Sequence, residues 1–119
     1  MLDEVRYETW KTFRRRWGSK HMNNNELARE LLSSGLVTHE RLAFWEDTAH
    51  LLAAIEAIGR YGATAIVKFD GERPEAMYTV VISGSCFGDA YFRRDGSDVL
   101  SLLREGVEFY RTEVMHRPD

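Results

Sequence analysis

Between Leu100 and Val114 the apolar residues Leu100, Leu103, Val107, Tyr110 and Val114 recur in steps of three, four, three and four. Only a helix puts that spacing on one side. A helix with one apolar stripe is stable only against another apolar surface, so the rest of the chain must supply one. Three β-type runs stand just upstream. Ala63 to Phe69 is the first. Met77 to Ser83 is the second, with Tyr78, Val80 and Ile82 alternating against Thr79 and Val81. Phe87 to Arg93 is read as the third. Asp70-Gly71 and Arg73-Pro74 mark the first turn. Asp95-Gly96-Ser97 reads as a stop, with Ser97 capping the last helix. Strands joined by short loops imply an antiparallel meander.

Two helices precede the strands. Asn25 can cap Glu26 to Ser34, whose apolar residues are Leu27, Leu31 and Leu32, and Gly35 ends it. Thr38 can cap a second helix running to about Gly59, with Leu42, Trp45, Ala49, Leu52, Ile55 and Ile58 on its inner face. The fold expected is α+β: a two-layer sandwich, a three-stranded antiparallel meander packed against helices, in the order α-α-β-β-β-α. The expected core is Trp45, Leu52, Ile55, Val67, Phe69, Val80, Ile82, Phe92, Leu103, Val107 and Tyr110.

Charge is divided along the chain. Residues 1–22 carry six basic and three acidic side chains, a net +3, whereas residues 23–119 carry ten and sixteen, a net −6. Gly18-Ser19 and His21-Met22 are dipeptides that common cloning sites encode, so residues 18–22 read as a linker or cloning scar. A natural polar linker is the alternative. The division expected is a basic aromatic segment at 1–17, the linker at 18–22 and an acidic α+β domain at 23–119. The segment reads as a short helix, with Leu2, Trp10, Phe13 and Trp17 on one face and Arg14 to Arg16 in the last turn. A strand is the rival reading, because Val5, Tyr7, Thr9, Trp10, Thr12 and Phe13 all favour β structure. Either way it is too short to bury its aromatic residues alone.

Residues with chemical potential are scattered. Cys86, in Ser83-Gly84-Ser85-Cys86, is the one thiol, with no histidine near it in sequence. A structural cysteine at a strand end is the expected role. Glu46 and His50 stand four apart on a helix, as metal ligands can, but no third ligand follows. His39 and His116 suggest no catalysis. Asp70 with Glu72, and Asp95 with Asp98, flank turn glycines, where aspartate is favoured for backbone reasons. Gly84 and Gly88 form no phosphate-binding pattern. We therefore expect no enzyme activity, cofactor or metal. A net −6 over the domain opposes a nucleic-acid partner despite Arg14-Arg15-Arg16. No apolar run is long enough to span a bilayer, and Asp3, Glu4 and Arg6 interrupt any signal peptide. With a single cysteine, a cytoplasmic location is expected.

From Tyr78 to Tyr110 the chain runs from strands into Leu100-Ser101-Leu102-Leu103-Arg104-Glu105-Gly106-Val107-Glu108-Phe109-Tyr110. This stretch resembles the strand-to-helix half of HicB-type antitoxins. The Pro-Gly-Cys segment and the Thr-x-x-Glu-Ala helix start of that family are missing, so no residue role carries over. The small acidic body is also similar in kind to bacterial immunity proteins and secretion chaperones.

The function expected is a protein–protein interaction module, adaptor or chaperone-like, whose acidic domain binds a short basic aromatic peptide, here fused at the N-terminus. The expected contact residues are Tyr7, Trp10, Phe13, Arg14, Arg15, Arg16 and Trp17 on the segment, and Glu40, Glu46, Asp47 and Glu56 on the second helix. The alternatives are a bacterial immunity protein or antitoxin that neutralises a toxin, and a small enzyme using Cys86. An exposed sheet edge leaves a homodimer open.

Overall fold

The computed structural model describes residues 21–115. The first unit ends at Asp47 and the second begins at Thr48.

In the first unit, helix α1 spans Asn24–Ser34. Its start is reciprocal: Asn23 Oδ1 accepts from the Glu26 N–H at 2.9 Å, while Asn23 Nδ2 donates to Glu26 Oε1 at 2.7 Å. The cap is thus Asn23, two residues before the expected Asn25. Gly35 ends the helix at φ 82°, a left-handed conformation that only glycine adopts freely. Thr38 caps α2, His39–Arg60, as the sequence indicates, through Oγ1 accepting from the Arg41 N–H at 3.1 Å.

The second unit holds the last part of α2 and everything after it. Its three strands are β1, Thr64–Phe69, β2, Tyr78–Ser83, and β3, Phe92–Gly96. They form an antiparallel meander in the order β1-β2-β3, with Val67 opposite Val80 and Ile82 opposite both Ala65 and Phe92. Helix α3, Val99–Tyr110, lies on β2 and β3. The fold is α+β in the expected order, α-α-β-β-β-α.

The third strand sits later than expected. Phe87 belongs to a short 3-10 turn, Ser85–Phe87, where its ring is buried against Phe109 and Tyr110 at centroid distances of 5.2 and 6.0 Å. Gly96 is paired with Tyr78 rather than marking a stop. The cap of α3 is Asp98, not Ser97: Asp98 Oδ1 accepts from the N–H groups of Leu100 and Ser101 at 3.1 and 3.4 Å. Ser97 Oγ instead accepts from the N–H of Ala76, which has φ 55°.

Starting the helix at Asp98 turns Val99, Leu102, Leu103 and Gly106 onto the sheet, and all four are buried. Gly106 permits the close approach. A Cβ there would stand 3.3 Å from Val80 Cγ1 and 3.4 Å from Ile82 Cγ1. The expected stripe is displaced toward the flank, so Val107 and Tyr110 are half-buried. Val80, Ile82, Phe92 and Leu103 are buried as expected. Trp45, Ile55 and Val67 are half-buried. Phe69, by contrast, is 55% exposed and Leu52 is 38% exposed. Phe69 closes an edge strand beyond the reach of α3, with its ring edge-on to Tyr78 at 5.5 Å. On α2 the covered side runs through Thr48, Leu51, Ile55 and Ile58, and Leu52 lies at its margin.

Candidate functional site

The opposite face of the sheet carries a polar network. After β1 the chain turns at Asp70, whose Oδ1 accepts from the Glu72 N–H at 3.1 Å. Arg73 returns over β2 and donates from Nη2 to Thr79 Oγ1 at 2.7 Å. The Thr79 hydroxyl donates in turn to Asp95 Oδ1 on β3 at 2.5 Å. Arg73 also pairs with Asp95 at 3.3 Å and with Asp70 at 3.3 Å, and Lys68 approaches Asp70 at 3.6 Å.

Both aspartates titrate below the ordinary carboxylate range. For Asp70 the backbone N–H of Glu72 is the main cause, with Lys68 and Arg73 adding to it against an opposing effect of burial. For Asp95 the main cause is the Thr79 hydroxyl, followed by Arg73 against the same opposing effect. An ionised carboxylate held by cations is a structural tie: it fastens the 70–77 loop across two strands. Asp98, the other half of one candidate acid–base pair, is the cap of α3.

Among the described residues, two concavities flank α3. The first is an apolar groove of about 460 Å³ lined by Ala54, Ala57 and Ile58 of α2, by Tyr61, and by Val107, Tyr110 and Arg111. Its floor is low because alanine stands at positions 54 and 57, one helical turn apart. Tyr61 is 80% exposed at its mouth. Charges beside it occur in pairs: Glu56 with Arg60 at 3.4 Å, and Glu108 with Arg111 at 2.9 Å.

The second, also about 460 Å³, is a charged trench on the β3 side. Phe92 and Phe109 form its aromatic base, with centroids 5.9 Å apart. Its walls carry Glu105, Glu108 and Glu113 together with Arg94 and Arg104. Arg94 meets Glu105 at 2.9 Å and lies over the Phe92 ring at 5.6 Å. After Tyr110 the chain makes a single π turn, Arg111–Met115, in which Arg111 lines the groove and Thr112 and Glu113 line the trench.

The segment residues Tyr7, Trp10, Phe13, Arg14, Arg15, Arg16 and Trp17 lie outside the described residues. Glu40, Glu46, Asp47 and Glu56 are all exposed on α2. Glu40, Glu46 and Asp47 belong to the first unit and Glu56 to the second. Cys86 is exposed in the 3-10 turn. Glu46 and His50 gather no third ligand: among the described residues, no group of three or more His, Cys, Asp and Glu side chains is placed to hold a metal ion. Likewise, no described helix is long and apolar enough to cross a membrane.

Sequence reasoning missed the groove and the trench. The groove joins small α2 residues to side chains some fifty positions later, which no local spacing can reveal. The trench had a weak signal in Glu105, Glu108 and Glu113, which fall off the apolar stripe of α3. Comparison with protein-family models, with curated proteins and with solved structures found no match.

Proposed function

We propose that this chain is a protein–protein interaction module whose acidic domain, residues 23–119, binds a short basic aromatic peptide, with residues 1–17 an example of the ligand. The observation that carries the reading is the apolar groove lined by Ala54, Ala57, Tyr61, Val107 and Tyr110. It is open, apolar and walled by tyrosines, a setting suited to one or two aromatic anchors. Glu113 of the neighbouring trench, which stands outside the Arg94–Glu105 and Arg111–Glu108 ion pairs, complements a basic flank. Aromatic anchors supply most of the affinity in such interfaces, and the charges set orientation and association rate.

The test is a titration of a synthetic peptide of residues 1–17 into a chain of residues 23–119 shown by circular dichroism to be folded. A saturable blue shift of tryptophan fluorescence is expected. Trp10→Ala in the peptide should weaken binding by about 2 kcal/mol or more, and Ala57→Arg in the groove should abolish it. A folded domain that gives no saturable change at any attainable peptide concentration would remove the proposal.

A further inference from the structure

The two edges of the sheet, β1 and β3, present different sequences to an approaching strand. β3 carries Arg93, Arg94 and Asp95 in succession, the kind of charged guard that keeps natural edges from pairing. β1 reads Thr64-Ala65-Ile66-Val67-Lys68-Phe69, with a single charge. Ile66 is 50% exposed on the outer face. Among the described residues the only strand beside β1 is β2, so alternate backbone N–H and C=O groups of β1 point away from the sheet.

We propose that β1 pairs with β1 of a second copy of this chain, antiparallel and centred on Ile66. The strand's own sequence selects both occupant and register. Residues directly opposite in an antiparallel pair share a face. Centred on Ile66, that side chain meets its own copy, Ala65 meets Val67, and Thr64 meets Lys68. Apolar groups then meet on both faces and the two ammonium groups stay apart. Centring the pair on Val67 sets Lys68 against Ile66, and centring it on Lys68 sets two like charges together.

The inner-face residues Ala65 and Val67 are half-buried at the edge of the layer that α3 covers, and pairing encloses them further. The seam is short, below the roughly 1,000 Å² expected of a stable interface, so the dimer is weak, reversible and favoured by high concentration. This inference is independent of the peptide-binding reading, which concerns the groove beside α3.

The test is cysteine cross-linking in the full chain on a Cys86→Ser background. Opposite residues of an antiparallel pair have Cα atoms about 4.5 to 5.5 Å apart, which a disulfide can bridge. Ile66→Cys should give a covalent dimer whose yield rises with protein concentration. Lys68→Cys alone should not, because two copies of position 68 stand four residues out of register, roughly 13 Å apart. Adding Thr64→Cys to Lys68→Cys should restore cross-linking. Circular dichroism matching the parent establishes that each variant is folded. In sedimentation, the unaltered chain should dimerise reversibly and Ile66→Lys should lose the dimer. Equal cross-linking at 66 and 68, none at 66, a dimer that survives Ile66→Lys, or a monomer throughout the millimolar range would each overturn the assignment.

Discussion

Thr79 and Val80 are neighbours on β2, and both are nearly inaccessible to solvent, at 3% and 0% exposed. The means are opposite. Val80 is covered by α3 where Gly106 lets the helix down onto the strand. Thr79 is covered by a loop whose arginine and a neighbouring aspartate saturate its hydroxyl. Apolar burial is non-directional and scales with area, so the inner face depends on volume and fit. A buried polar group needs a partner of stated geometry, so the outer face depends on connectivity and protonation. One strand thus exposes the same sheet to two kinds of failure.

The comparison can be broken from either side. The largest effect expected is from Ile82→Ala, which removes a fully buried side chain between Ala65 and Phe92 and should lower stability by about 3 kcal/mol, read from urea unfolding. A loss below about 1 kcal/mol would mean that the inner face is loosely packed. Gly106→Val tests fit rather than volume. It places methyl groups where even a Cβ would stand 3.3 Å from Val80, and a loss of about 2 kcal/mol is expected. A gain would show that Val80 and Ile82 can move aside, because valine has the better helix propensity.

On the outer face, Thr79→Val keeps the shape and deletes the hydroxyl that joins Arg73 to Asp95. A loss of about 1 to 2 kcal/mol is expected, with thermal or urea unfolding as the readout. Equal stability would mean that the loop is held by its ion pairs alone.

The smallest effect is the dependence on pH. Asp70 and Asp95 titrate lower in the folded chain than the ordinary value of 3.8. The unfolded chain therefore binds more protons near that pH. The contribution of these groups is fully present above about pH 4 and is lost as pH falls through the folded values. Urea midpoints measured from neutral pH downward should fall below about pH 4, and less steeply in Asp95→Asn. An Asp95→Asn profile that runs parallel to the parent would remove Asp95 from the effect.

The strands and their order were legible because the cues were local. Tyr78, Val80 and Ile82 alternate, and Asp70-Gly71 leaves room only for a short return. Gly35 and Thr38 announced a helix end and a helix start by their own chemistry. Errors arose where two residues competed for one role. Phe87 and Phe92 are both aromatic, and only packing shows that the first closes a 3-10 turn while the second opens β3. Ser97 and Asp98 can each cap a helix, and the loop at Ala76 claims the serine. Thr48, fully buried on α2, was passed over because a polar residue inside an apolar stripe carries no hydrophobic signal. Among the candidate contacts, charge alone suggested the α2 carboxylates. The groove instead depends on alanines whose value is the space they leave.

The π turn at Arg111–Met115 has a consequence for length variation. Its first three residues serve both concavities, Arg111 lining the groove and Thr112 and Glu113 the trench. Deleting one residue just ahead of it would move each following residue into its predecessor's place, about 100° round the axis, so that Thr112 would leave the trench for the groove. A one-codon change at this point would act on both concavities at once, whereas most point substitutions reach only one.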